Sequence, residues 1–227
     1  MATFVLLHGA WHDGSCWEPV QERLDALGHG TAAPDLPLHA PAAGYEQRVQ
    51  PALDALDGVG EPVVVVGHSQ SSALAPLVAA ARPVSLLVYL CPRLGTFEAP
   101  EGAPGAIREG FPFPPSRADG TSVWDPDAAI EAMYARLPPD TARALAERLR
   151  PMAMPPGDYP LSEHPDVPAA LIYAAEDEFF EPEWERLMAR ELLGVEPIEI
   201  PGGHFPMAED PEGLADLLDR LARLRPS

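Results

Sequence analysis

Four consecutive valines, residues 63–66, run directly into Gly67-His68-Ser69-Gln70. Side chains along a strand alternate between the two faces of a sheet, so an apolar run with no polar alternate must be covered on both. The pattern recurs at Thr3–Leu7, 84–90 and Ala169–Ala174, with a last run at 195–200 and a weaker one in "TAAPDLP". Helical periodicity fills the gaps. Ser15 and Glu18 have capping-box spacing, Val20, Leu24 and Leu27 share a face, and Gly28 and Gly30 end that helix. Residues 45–56 align Val49, Leu53 and Leu56, 73–81 form a small-residue helix, and 184–193 another. Asp210-Pro211 opens a last helix with the stripe Leu214, Leu217, Leu218, Leu221 and Leu224. Strands alternating with helices predict an α/β fold: a mainly parallel central sheet with helices on both faces.

One segment breaks the rhythm. Residues 92–167 hold more than a third of the 29 prolines, in clusters such as "FPFPPS" and "AMPPGDYP". Two helices are expected inside it, one capped by Asp125-Pro126 and carrying Ile130, Met133, Tyr134 and Leu137, the other over 140–149. Their aligned apolar residues favour a packed lid over a loose linker. The expected organisation is a core of residues 1–91 and 168–227 with a helical, proline-rich lid at 92–167.

The 227 residues suffice for one such domain. A net charge of −20 argues against nucleic acid and anionic membrane surfaces as partners. No apolar run reaches the ~18 residues of a membrane helix. The start "MATFVLLHGAW" reads as a buried strand and not a signal peptide, so a cytoplasmic location is expected. All basic side chains are arginine, which with the abundant alanine and proline suggests a GC-rich bacterial source. Cys16 and Cys91 form no framework, and the seven histidines show no metal-ligand spacing. No phosphate-cradling glycine motif is present. No cofactor and no metal are expected, and the expected partner is a small-molecule substrate; the oligomeric state is not legible.

A strand, G-x-S and a helix in succession form the nucleophile-elbow signature, with Ser69 as nucleophile. The plainer role of Ser69 is a helix cap. The elbow needs small neighbours; Gly67 fits, and the usual second glycine is Ser71. Pro76, inside the expected helix, costs ~3 kcal/mol unless a kink absorbs it. A serine hydroxyl needs a base, and the base an orienting carboxylate, which in this architecture follow in the order serine, acid, histidine. His204, in "PGGHFPM", is the one histidine after the acids of "AEDEFF". Spacing does not choose among Glu176, Asp177 and Glu178; alternation turns Glu176 and Glu178 away if Asp177 faces in. One oxyanion-hole amide belongs to the residue after the nucleophile, Gln70. Trp11 and His12 are candidate pocket residues, as are Phe111, Phe113, Trp124, Met133 and Tyr134 from the insertion; packing is the alternative for each.

Four stretches, "FVLLHGAWHDGSCW", "VVVVGHSQSS", "YAAEDEFFEPEW" and "PGGHFPMAEDPEGLADLL", resemble the α/β-hydrolase superfamily, near its branch of small plant-type methylesterases, hydroxynitrile lyases and bacterial esterase relatives. The resemblance implies Asp177 as the acid and the Ala10 amide as the second oxyanion donor. It implies a serine hydrolase acting on a small, fairly apolar ester, thioester or lactone through an acyl-enzyme. Lyases of that branch carry lysine directly after the catalytic histidine; Phe205 stands there, which disfavours that chemistry. Carbon–carbon hydrolysis, cyclisation on the same triad, and a non-catalytic ligand-binding role remain as alternatives. Epoxide hydrolases and dehalogenases need an aspartate nucleophile where Ser69 stands.

Overall fold

Six strands pair side by side, all parallel, in the computed structural model: β1 (Thr3–Leu7), β2 (Gly30–Ala32), β3 (Val63–His68), β4 (Leu86–Leu90), β5 (Ala169–Ala174) and β6 (Ile198–Ile200). The structure describes residues 1–60, 62–94 and 103–224; part of the expected lid (95–102) and the last residues of the expected core lie outside the described residues. The spatial order is β2-β1-β3-β4-β5-β6, with Val5 beside Val65, Val66 beside Val88 and Tyr89 beside Leu171. Every residue of β3 and β4 is buried, so both faces are covered, as the valine run requires. Each fully buried valine contributes about 1.5–3 kcal/mol relative to exposure. The chain leaves β1 to one side for β2 and returns on the other side for β3. Ligands in open α/β sheets bind at such a reversal, beyond the carboxyl ends of the strands.

The helices are α1 (Glu18–Ala26), α2 (Tyr45–Asp54), α3 (Ala75–Ala81), α4 (Pro126–Met133), α5 (Pro139–Glu147), α6 (Pro182–Glu191), α7 (Pro206–Glu209) and α8 (Pro211–Arg223). Helix α8 buries Leu214 and Leu218 and packs on α1, while α2 packs on α3. Asp210 caps α8 through the Gly213 amide, as its position suggests. Ser15 does not cap α1. A 3-10 turn, Gly14–Trp17, precedes that helix, and Asp13 caps the turn by accepting from the Ser15 amide. Among the described residues no helix is long and apolar enough to cross a membrane.

The segment between β4 and β5 carries α4 and α5, and Asp125 caps α4 through the amides of Asp127 and Ala128. Met133, Tyr134, Leu137, Ala142 and Ala146 join the main core. The segment docks on the loops that leave the carboxyl ends of the strands. The Arg150 amide donates to the Trp11 carbonyl, the Ala153 amide to Leu38 and the Arg108 amide to Phe179. Arg48 of α2, fully buried, donates to the carbonyls of Ala40, Ala43 and Ala153, joining the loop after β2 to the same segment.

Candidate active site

At the end of β3 the chain turns at once into a 3-10 segment, Ser69–Ala73. Ser69 has φ +51°, in the left-handed region that non-glycine residues avoid. Trp11 (φ +62°) and Cys91 (φ +42°) share that conformation. These non-glycine residues all lie in loops leaving β1, β3 and β4. Such strain, about 1–3 kcal/mol each, persists where the surroundings over-determine it. The turn is tight enough to exclude a side chain at Gly67, where a Cβ would lie 2.8 Å from Ser72 Cα and 3.0 Å from the Ser71 carbonyl oxygen. The Ser72 hydroxyl donates to the Gly67 carbonyl at 2.8 Å.

Both departures in the motif fit this backbone. Ser71 is not among the residues with positive φ, so a side chain there carries no left-handed strain. Its hydroxyl is buried, with no partner among the described residues. Pro76 sits in the first turn of α3 and not in its interior, because the 3-10 segment takes up the preceding residues; the amide it lacks would have been unpaired there.

The loop after β1 runs against the elbow. A Cβ on Gly9 would lie 2.7 Å from His68 Nδ1 and 3.2 Å from Ser69 Cβ. The carbonyls of this loop are held in turn. Gly9 accepts from His8 Nδ1 (3.0 Å), Ala10 from His12 Nδ1 (2.7 Å) and Trp11 from the Arg150 amide (2.8 Å). His8 Nε2 accepts from the Leu36 amide, and His12 Nε2 from the Tyr134 hydroxyl at 2.6 Å. The Leu36 amide can only donate, so the His8 ring is neutral with its proton on Nδ1, and the His12 contacts fit the same tautomer. Burial favours that state: it lowers His8 and brings His12 down to about 4. The Ala10 amide has no acceptor among the described residues. The Gln70 amide lies in the first turn of its 3-10 segment, where amides lack intrahelical partners.

Beyond β5, Asp177 and His204 meet. Asp177 Oδ2 accepts from His204 Nδ1 at 2.7 Å, and Oδ1 from the amides of Phe179 (2.7 Å) and Phe180 (2.9 Å). Both residues are buried. A carboxylate only accepts, so Nδ1 is the donor of this pair. The flanking acids point elsewhere: Glu176 and Glu178 pair with Arg136 of the insertion, and Glu178 also accepts from the His204 amide at 3.0 Å. Phe179 stacks on the His204 ring with centroids 4.4 Å apart. The His204 carbonyl accepts from His68 Nε2 at 2.9 Å, which fastens the histidine loop to the residue before Ser69. Cys91 Sγ, the Asp177 carboxylate and a His204 ring nitrogen lie within 4.8 Å of one another. Burial pushes the Cys91 thiol well up, so without a metal it stays a thiol. Glu185, on α6, is fully buried, with no partner for either oxygen among the described residues; burial and then the charge of Asp177 push its carboxyl well up.

Ser69, Gln70 and Ala10 line a cavity of about 360 Å³. Of the candidate pocket residues, Trp11 and Phe113 line it too. Phe111 and Trp124 line a neighbouring cleft of about 510 Å³. Tyr134 and Met133 line neither; they are the buried face of the insertion, Tyr134 against His12, which also stands off the cavity. Sequence reasoning missed Arg93, Ile107, Met152 and Met154 on the wall, together with Phe179 and Phe180. The last two were within reach, since they directly follow the acidic run; the others carry no local signal.

A model of the alpha/beta hydrolase family matches residues 4–217. The pyrethroid hydrolase of Sphingobium wenxiniae is 27% identical over 260 residues, covering 96% of this chain and 86% of that protein. Methylesterase 2 of Arabidopsis thaliana is 37% identical over 76 residues, 29% of each chain. The crystal structure of a pyrethroid hydrolase from Sphingobium faniae superposes with a TM-score of 0.78 at 23% identity, over 98% of both chains.

Proposed function

Because the chain belongs to the alpha/beta hydrolase family, whose similar members include a pyrethroid hydrolase and methylesterases, we propose that it is a serine hydrolase. Its substrate is a small, fairly apolar carboxylic ester, or a thioester or lactone of similar size. The observation that carries this reading is the buried Asp177–His204 pair, fastened through His68 to a strained Ser69 that opens into a cavity.

The reaction follows from these groups. His204 Nε2 takes the Ser69 proton as Oγ attacks the acyl carbon. Asp177, bonded at Nδ1, stabilises the imidazolium and keeps the tautomer. The amides of Ala10 and Gln70 receive the charge that develops on the carbonyl oxygen. The imidazolium returns its proton to the departing alcohol, leaving an acyl-Ser69. Water, deprotonated by His204, attacks that ester, and the acid leaves as Ser69 is reprotonated. Residues 92–167 act as the lid over this site; Arg150 and Arg108 of that span dock on the loops that carry Trp11 and Phe179.

A non-catalytic ligand-binding role would have drawn on a disturbed elbow. The positions of Ser71 and Pro76 leave the elbow undisturbed, and so favour the hydrolase. The test is turnover of a 4-nitrophenyl ester series by the wild type and Ser69→Ala. The expected result is turnover that falls by several orders of magnitude in the variant. Equal rates in the two would end the proposal.

A further inference from the structure

The cavity beside Ser69 holds one feature that ester hydrolysis does not use. Its walls are largely apolar, with Ile107, Phe113, Met152, Phe179 and Phe180, yet Arg93 also lines it. Arg93 lies in the loop after β4, where its backbone amide donates to the Ser69 carbonyl at 3.1 Å. Its half-buried guanidinium uses one nitrogen, NH1, to reach Gln70 Oε1 (2.7 Å) and Met154 Sδ (3.3 Å). Among the described residues, the donors of Nε and NH2 have no partner and no carboxylate pairs with the guanidinium.

Most of the other described arginines are treated differently. Arg23, Arg82, Arg136, Arg143, Arg148, Arg150, Arg186, Arg190 and Arg223 pair with carboxylates, and the buried Arg48, which does not, spends its donors on three backbone carbonyls instead of facing a cavity. In a chain of net charge −20, acids are the most available partners. A guanidinium left without one, half out of water and facing a cavity, is a fork suited to a planar anion.

We infer that Arg93 binds an ionised carboxylate of the substrate, so that the preferred substrates are small esters carrying a second, free carboxyl group. This rests on the hydrolase reading for its chemistry but not for its binding. The apolar walls accept the chain between the two groups, and Arg93 fixes the far end while the ester lies at Ser69.

The test compares monomethyl glutarate with methyl hexanoate, an ester of similar length without the charge. Wild type, Arg93→Gln and Arg93→Lys are assayed with both. Binding of glutarate itself is followed by the thermal midpoint, which needs no turnover. The wild type is expected to prefer the anionic ester. Arg93→Gln should lower the ratio of kcat/KM for the anionic over the neutral ester by about 10–100-fold, chiefly through KM, since a charge-assisted bond is lost. Arg93→Lys, which keeps the charge without the fork, should lose less. Glutarate should raise the midpoint of the wild type and not that of Arg93→Gln.

An equal loss on both esters would show that Arg93 acts only by holding Gln70, and would overturn the proposal. So would an unchanged ratio, or glutarate stabilising both proteins or neither. If glutarate stabilises the wild type alone while neither ester is cleaved, the anion site stands and the hydrolase reading falls. If the esters are cleaved with a ratio indifferent to Arg93, the reverse holds.

Discussion

The elbow around Ser69 and the loops around Asp177 and His204 hold their side chains by opposite means. At the elbow the backbone does it. Ser69 sits at φ +51°, Gly67 touches the following turn too closely for a Cβ, and the Ser71 hydroxyl has no partner among the described residues. Around Asp177 hydrogen bonds do it. Its carboxylate accepts from the Phe179 and Phe180 amides and from His204, and Glu178 takes the His204 amide. The Gly203 amide goes to Glu209 at 2.9 Å. A nucleophile needs its oxygen held in a fixed place between its base and the acyl carbon, which a rigid backbone supplies. An imidazole needs a fixed tautomer, which only a partner supplies. The first region should therefore be sensitive to shape and the second to charge.

The largest effect should come from Asp177→Asn. The amide keeps the shape but presents an N–H to His204 Nδ1, which drives the ring to the wrong tautomer. The expected loss is about 10⁴-fold in kcat with little change in thermal midpoint. A midpoint that falls steeply would instead make Asp177 a structural residue and erase the contrast.

Gly67→Ala should act on both stability and activity. Its Cβ would meet backbone and not the yielding end of a side chain. Overpacking of this kind costs about 1–3 kcal/mol, or roughly 2–12 °C in a domain of this size. The displaced Ser69 should lose on the order of 10² in kcat. Unchanged melting and kinetics would mean that the elbow is not held by shape.

Ser71→Ala should have the smallest effect. It removes a buried hydroxyl that has no partner among the described residues, so stability should hold or rise by up to about 1 kcal/mol, with kcat within about twofold. A clear loss in denaturant melts or in turnover would show that the hydroxyl matters to the elbow.

What was legible in the sequence divides along similar lines. The strands could be read because burial on both faces leaves an unbroken apolar run, and β1 and β5 match their expected bounds. Helices α4 and α5 could be read from a cap and aligned apolar residues. The start of α1 could not. Ser15 and Glu18 have the spacing of a capping box, but a buried Asp13, paired with Arg150, takes the cap of the preceding turn. The parting of Asp177 from Glu176 and Glu178 agrees with simple alternation, although the partner that draws the flanking acids outward, Arg136, lies about forty positions earlier. The cavity wall was the least legible. It is joined by contacts such as Ile107 with Phe180 and Ser122 with Met152, which no local pattern announces. Met133 and Tyr134 carry the helical signal of the insertion because they are its buried face, and for the same reason they are not on the cavity.

The most direct measurement is mass spectrometry of the protein after exposure to a fluorophosphonate. The expected result is a single covalent adduct that maps to the Ser69 peptide and is absent from Ser69→Ala. An adduct on another residue, or none from a folded wild-type protein, would contradict the assignment of Ser69 as the activated alcohol.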